Sequence, residues 1–298
     1  MPSSRLPGSS LSASTPASSF AARAAGIPED DSAAVILAYS RIGEDAYPDN
    51  EITVDQFMEH IDEIEKGGYH VMPLPAIIDA LKKKETLPPS TIAITFDGAY
   101  KSALQNAIPT LLQKKMPFTV FYAVDNTDVN SPQYMDLADL KKLAGNENVT
   151  LGVLPASYAH ANGMGEAEIR RQINKARNAY RDMTGKEAAL FSYPFGEYSK
   201  AFRQIVSESG FDAAFGLQSG VASSSSDFFA LPRFTMTEKY GDIDRFRTVT
   251  RAQALPVTDI ALHEARRVAD DVADEYIRSK ILRPETVRQY QVEGQQGY

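Results

Sequence analysis

The chain has 298 residues, 43% of them hydrophobic and 23% charged, with a formal net charge of −8 and no cysteine. That length suits one large α/β domain or two smaller ones, and the composition is that of a folded globular protein. Scattered Lys and Arg argue against a nucleic-acid interface, the lack of any apolar run long enough to span a bilayer argues against a transmembrane helix, and the missing thiols remove disulfides and Cys chemistry.

The first 28 residues are rich in Ser, Ala and Pro, contain no acid and offer no apolar stretch for a signal-peptide core, so residues 1–30 read as a disordered extension, with a targeting segment as the alternative. From Ala34 onward, short apolar runs alternate with capped helices, the pattern of βα units around a largely parallel sheet. Ala34 to Tyr39 is a buried strand. Thr53 and Gln56 form a capping box for a helix whose Phe57, Ile61 and Ile64 share one stripe, ended by Gly67-Gly68.

Tyr69 to Met72 is the next strand, leading to a helix around Ile77 to Leu81, and Thr91 to Phe96 is a fully apolar strand followed by a helix over Ser102 to Lys115. Phe118 to Val124 is the clearest strand, with a helix over Leu137 to Leu143 and a strand over Val149 to Leu154 behind it. The longest helix runs from Glu166 to Thr184, with Ile169, Ile173, Ala176 and Tyr180 on one face and Gly185 as its stop. Ala188 to Tyr193 (strand), Lys200 to Ser209 (helix) and Ala213 to Phe215 (strand) complete about six βα repeats, and Ser223 to Ser226 reads as an exposed loop. Residues 31–260 therefore read as one barrel-like domain. Residues 261–298 read as a charged helix packed outside it and a frayed end.

In a barrel of this kind, functional side chains project from the C-terminal ends of the strands. Four such segments would ring one pocket: Ser40-Arg41-Ile42-Gly43, Asp97-Gly98-Ala99-Tyr100, Leu154 to His160, and Tyr193 to Tyr198. Three of them have a plain alternative. Asp97 could merely cap the next helix, His160 could face solvent, and Tyr193-Pro194-Phe195-Gly196 could be a tight turn.

Thr95-Phe96-Asp97 after an apolar strand, then Tyr100, resembles the Thr-Phe-Asp-Asp-Gly-Tyr motif of polysaccharide deacetylases. The strand beginning Phe118-Thr119-Val120-Phe121 and the segment Ser192-Tyr193-Pro194-Phe195-Gly196 are similar to later motifs of that family, in the same order. The resemblance covers about residues 34 to 255. It implies an α/β fold, a distorted (β/α)7 barrel related to the TIM barrel, and metal-assisted hydrolysis of N-acetyl groups on a polysaccharide or oligosaccharide in a periplasmic or extracellular setting.

By that resemblance Asp97 is the catalytic base, the backbone N–H of Phe195 serves the oxyanion, and His263 in Leu262-His263 is similar to the late histidine that protonates the leaving amine, although a surface helix is the other reading of that stretch. Tyr100, Tyr193, Pro194, Gly196 and Tyr198 are the implied saccharide contacts, and His160 is the remaining metal-ligand candidate for a divalent, zinc-type ion. Three departures fall in the same pocket. Gly98 stands where the metal-binding Asp is expected, Leu154 where a ligand histidine is expected, and Ser40 where the first strand of relatives often carries His. One imidazole cannot supply three protein ligands, and Glu197 is a substitute carboxylate beside Asp97 that nothing in the spacing singles out. The expectations are thus a hydrolase with a rebuilt site, or a catalytically inactive saccharide-binding or assembly protein on the same fold.

Overall fold

A computed structural model describes residues 32–252, apart from 45, 48, 128–130 and 162. The expected N-terminal extension, the charged C-terminal helix and His263 lie outside the described residues.

The chain opens with β1 (Ala33–Tyr39), the short pair β2 (Arg41–Ile42) and β3 (Glu51–Ile52), and α1 (Val54–Lys66). Thr53 and Gln56 form the expected capping box, and Phe57, Ile61 and Ile64 are all buried. Full burial of each such side chain contributes about 1.5–3 kcal/mol. Next come β4 (His70–Val71), α2 (Leu74–Lys83) and β5 (Thr91–Asp97).

The helix expected over Ser102 to Lys115 is two: α3 (Lys101–Asn106) and α4 (Ile108–Gln113), joined at Ala107. Pro109 sits in the first turn of α4, where its missing N–H is tolerated, whereas inside one continuous helix its ring would collide with the preceding turn. Then follow β6 (Phe118–Tyr122), α5 (Val124–Thr127), α6 (Leu137–Ala144), β7 (Val149–Val153) and α7 (Glu166–Thr184). The stop of α7 is Gly185 with φ +71°, a conformation that favours glycine. The remainder is β8 (Leu190–Ser192), α8 (Lys200–Glu208), β9 (Ala213–Phe215), β10 (Ala222–Ser223), β11 (Phe234–Thr235) and α9 (Ile243–Thr250).

Strands β1, β5, β6, β7, β8 and β9 are neighbours in that order, and every one of these pairings is parallel. The stretch from Leu231 to Thr235 closes the ring. Leu231 bridges to Phe215 of β9 in parallel, while Phe234 and Thr235 pair with Leu37 and Ala38 of β1. Seven staves result, the (β/α)7 barrel that the motif order implies. The seventh is easy to miss in the sequence because it is short and interrupted by Pro232 and Arg233.

Successive strand residues face opposite sides. Ile36, Ala93, Phe121, Leu154, Leu190, Phe215 and Leu231 gather with Leu74, Ile77, Ile78 and Leu81 of α2 in one cluster. Val35, Leu37, Ile94, Phe96, Val120, Val153, Phe191 and Phe234 pack instead with the buried faces of α1, α7 and α8. The first set fills the barrel and the second seats the outer helices, so polar side chains at the strand ends sit above a dry floor.

Candidate functional site

Asp97 ends β5 and is 4% exposed. Arg233, from the closing stave, is wholly buried and grips it with both arms: Nη1 donates to Oδ1 at 2.8 Å and Nη2 to Oδ2 at 2.7 Å. Ser192, the last residue of β8, donates its hydroxyl to Oδ2 at 3.0 Å and accepts from Nη2 of Arg233 at 2.8 Å. The guanidinium is spent completely, since Nε donates to the Gly216 carbonyl at 2.9 Å and Nη1 also reaches the Thr95 hydroxyl at 3.2 Å, with Phe121 and Phe215 rings on its flanks. A bidentate pair of this kind is what allows a carboxylate to stay charged away from water.

Above the pair lies a cavity of about 40 Å³ lined by Ser40, Asn50, Asp97, Tyr158, Phe195 and Leu217 among others. It has room for a small polar group or a few waters, not for a pyranose ring. Burial pushes the Tyr158 phenol well above its usual range and the Asp97 charge pushes the same way, so Tyr158 presents an O–H donor. Burial likewise raises the Tyr100 phenol.

Phe195 occupies the left-handed region at φ 55°, ψ 17°, unusual for a residue with a Cβ, and Gly196 follows at φ +71°. Gly196 is required there for a second reason: a Cβ would stand 2.6 Å from Cβ of Leu217. The turn throws the Phe195 ring outward, where it stacks on Tyr158 (centroids 4.7 Å apart) and on His160 (4.2 Å). The Nδ1–H of His160 donates to the Glu197 carboxylate, whose two oxygens lie 3.1 and 3.2 Å away, and its side chain is 66% exposed.

The structure thus brings Asp97, Tyr158 and Phe195 to one mouth and sets His160 against the outer face of Phe195. The other expected contacts fall elsewhere. Tyr193 is fully buried, donates its hydroxyl to the Phe229 carbonyl at 2.9 Å and packs against Phe191, Phe202 and Tyr198. Pro194 is buried beneath the turn. Tyr198 borders a separate depression of about 480 Å³ with Met164, Glu197 and Phe202, and its hydroxyl accepts from Gln218 at 3.1 Å. Tyr100 is 3% exposed, stacked on Tyr134 and under the Arg41 guanidinium.

The positions of the implied metal ligands do not assemble a donor set. Gly98 has φ +94°, and a Cβ built there would lie 2.5 Å from the Tyr100 ring, so the turn is shaped around glycine and the aromatic side chain. Leu154 is wholly buried in the barrel filling. Ser40 donates its hydroxyl to the Asp97 main-chain carbonyl at 3.1 Å. Among the described residues no group of three or more His, Asp or Glu converges as metal ligands would.

Sequence reasoning missed Arg233 and gave Arg41 no partner. The available signal for Arg233 was a lone cation inside the apolar stretch Ala230-Leu231-Pro232-Arg233-Phe234, since a buried guanidinium needs a carboxylate.

A family model for polysaccharide deacetylase matches residues 84–214, which run from the approach to β5 through β9. Curated poly-β-1,6-N-acetyl-D-glucosamine N-deacetylases of Staphylococcus aureus are 20% to 22% identical over 168 residues, 53% of this chain, and the chain spans 58% of their length. Among solved structures, the Streptococcus pyogenes deacetylase PplD aligns with 73% of this chain and 98% of its own at a TM-score of 0.67 and 16% identity. IcaB from Ammonifex degensii aligns with 74% of this chain and 96% of its own at 0.63 and 19%. The barrel closed by seven parallel staves is therefore a fold shared with solved deacetylases, and residues 84–214, which carry β5, β6 and the turn after β8, are similar to the polysaccharide deacetylase family.

Proposed function

We propose that this protein binds an N-acetylated polysaccharide or oligosaccharide at the barrel mouth and does not hydrolyse it by the metal-assisted route that the family resemblance implies. The observation that carries this reading is the state of Asp97. Both carboxylate oxygens are held by Arg233 and Ser192, and the next residue is a glycine whose turn leaves no room for a second carboxylate.

A general base needs a lone pair aimed at the attacking water, and a metal site needs converging ligands. The mouth offers a phenol donor and packed aromatic side chains instead. The cavity admits a group of acetamido size, with Tyr158 supplying an O–H at its wall and Phe195 at its lip, while the sugar rings lie outside. Apolar sugar faces against aromatic rings, with a few fixed donors, are what a saccharide site requires. The barrel is retained as a rigid frame for these groups, and a divalent metal is no part of this reading.

Isothermal titration of the purified protein with N-acetylglucosamine oligomers tests it. Saturable binding that weakens on Phe195→Ala is expected; no binding at any oligomer length overturns the reading.

A further inference from the structure

A second aromatic element lies at the barrel rim, away from the Asp97 cavity. Arg41, at the start of β2, is 4% exposed, yet its guanidinium lies between two tyrosines: 4.0 Å from the ring centroid of Tyr47 and 3.8 Å from that of Tyr100. Tyr100 in turn stacks on Tyr134 at 4.9 Å and 28°. Four planar groups, Tyr47, Arg41, Tyr100 and Tyr134, thus follow one another as a single stack.

The stack is tied down at each layer. Arg41 is ion-paired with Glu44, whose own N–H donates to the Glu51 carboxylate. Tyr100 and Tyr134 also pair through a backbone bridge. Tyr47 closes a turn in which Asn50 N–H donates to its carbonyl at 2.8 Å, and its hydroxyl accepts from Gln133 at 3.2 Å. Despite these ties Tyr47 is 40% exposed, one of three large apolar or aromatic residues so exposed among those described. Asn50, at the other end of its turn, lines the Asp97 cavity.

A ring fixed at its hydroxyl and backed by a guanidinium has lost its freedom before any ligand arrives. Its exposed surface is then a preorganised platform, since ordering costs have already been met in folding. The apolar face of a pyranose is the chemistry such a platform fits.

We propose that Tyr47 is a stacking subsite for a second sugar ring of the same chain whose acetamido group enters the Asp97 cavity, with Arg41 as its positioning residue. This rests on the saccharide-binding reading above and adds where the neighbouring sugar lies.

The test is titration of wild type, Tyr47→Ala and Tyr47→Phe with N-acetylglucosamine and its oligomers up to the hexamer. In wild type, affinity is expected to rise with length. Tyr47→Ala should leave monomer binding unchanged and lose about tenfold with the longer oligomers, the equivalent of about 1.4 kcal/mol, whereas Tyr47→Phe keeps the ring and should follow wild type. If Tyr47→Ala keeps the full length-dependent gain, the subsite is wrong and the saccharide reading stands. If wild type binds no oligomer at all, both fall. Thermal melting separates these outcomes from unfolding, because Tyr47 lies at the surface.

Discussion

Arg233 holds both oxygens of Asp97, at 2.8 and 2.7 Å, across 136 residues of chain, and in doing so ties the closing stave to β5 at the centre of the barrel mouth. The pair joins two strands distant in sequence, and its energetics are open to direct measurement. Arg233→Met strands a buried carboxylate and is expected to cost about 3–5 kcal/mol in urea unfolding. The double variant Asp97→Leu with Arg233→Met should recover most of that loss, because an apolar pair leaves no uncompensated charge. A single variant as stable as wild type would contradict the role given to the pair.

His60 sets a second prediction. It is wholly buried between α1 and α9, its ring stacked on Phe246 at 4.1 Å. A carbonyl can only accept, so Nε2–H donates to Gly241 O at 2.7 Å and Nδ1 receives the Tyr39 hydroxyl at 3.0 Å, which fixes the neutral tautomer. Burial, with Arg245 adding repulsion, lowers its pKa to about 4 against Asp242 and the Gly241 bond, which pull the other way. The unfolded chain, with an ordinary histidine near 6.5, therefore binds more protons between those values. Stability is expected to fall as pH drops from about 6.5 to about 4, by about 3 kcal/mol from this group. Unfolding curves of wild type and His60→Gln across that window check it; equal pH slopes would remove His60 as the cause.

The Phe195 turn can be tested through its glycine. Gly196→Ala places a Cβ 2.6 Å from Leu217 at a positive φ and should cost about 1–3 kcal/mol while weakening oligosaccharide binding, because the turn that presents Phe195 must shift. Melting temperature and titration read the two effects separately.

Placing at position 98 the Asp that the motif resemblance implies should not create a metal centre. Gly98→Asp meets the Tyr100 ring at 2.5 Å and a backbone at φ +94°, and Leu154 still fills the place of the expected histidine. Metal analysis of the dialysed variant after exposure to Zn²⁺ is expected to give far less than one ion per chain. Stoichiometric zinc would show that the turn rebuilds easily.

Much of this was legible in the sequence because burial on both faces writes continuous apolar runs, as in Ala34-Val35-Ile36-Leu37-Ala38-Tyr39, and because caps such as Thr53 with Gln56 and Gly185 act locally. The residue types at Gly98, Leu154 and Ser40, which the resemblance implies are departures, were likewise visible. What could not be read were relationships made by closure: the seventh stave has too few residues to carry a period, and Arg233 finds Asp97 only once the barrel meets itself. Tyr193 misled for a related reason. A motif names its residues without saying which face of the strand end each occupies, and a shift of one position moves a ring from the mouth to the helix layer.

The most direct test of the central claim is acetate release from an N-acetylglucosamine polymer by the purified protein, with and without added Zn²⁺, Co²⁺ or Ni²⁺, alongside binding of the same polymer. The account expects saturable binding and no acetate above the protein-free control under any metal. Acetate release that rises with metal occupancy, and disappears in Asp97→Asn, would contradict it.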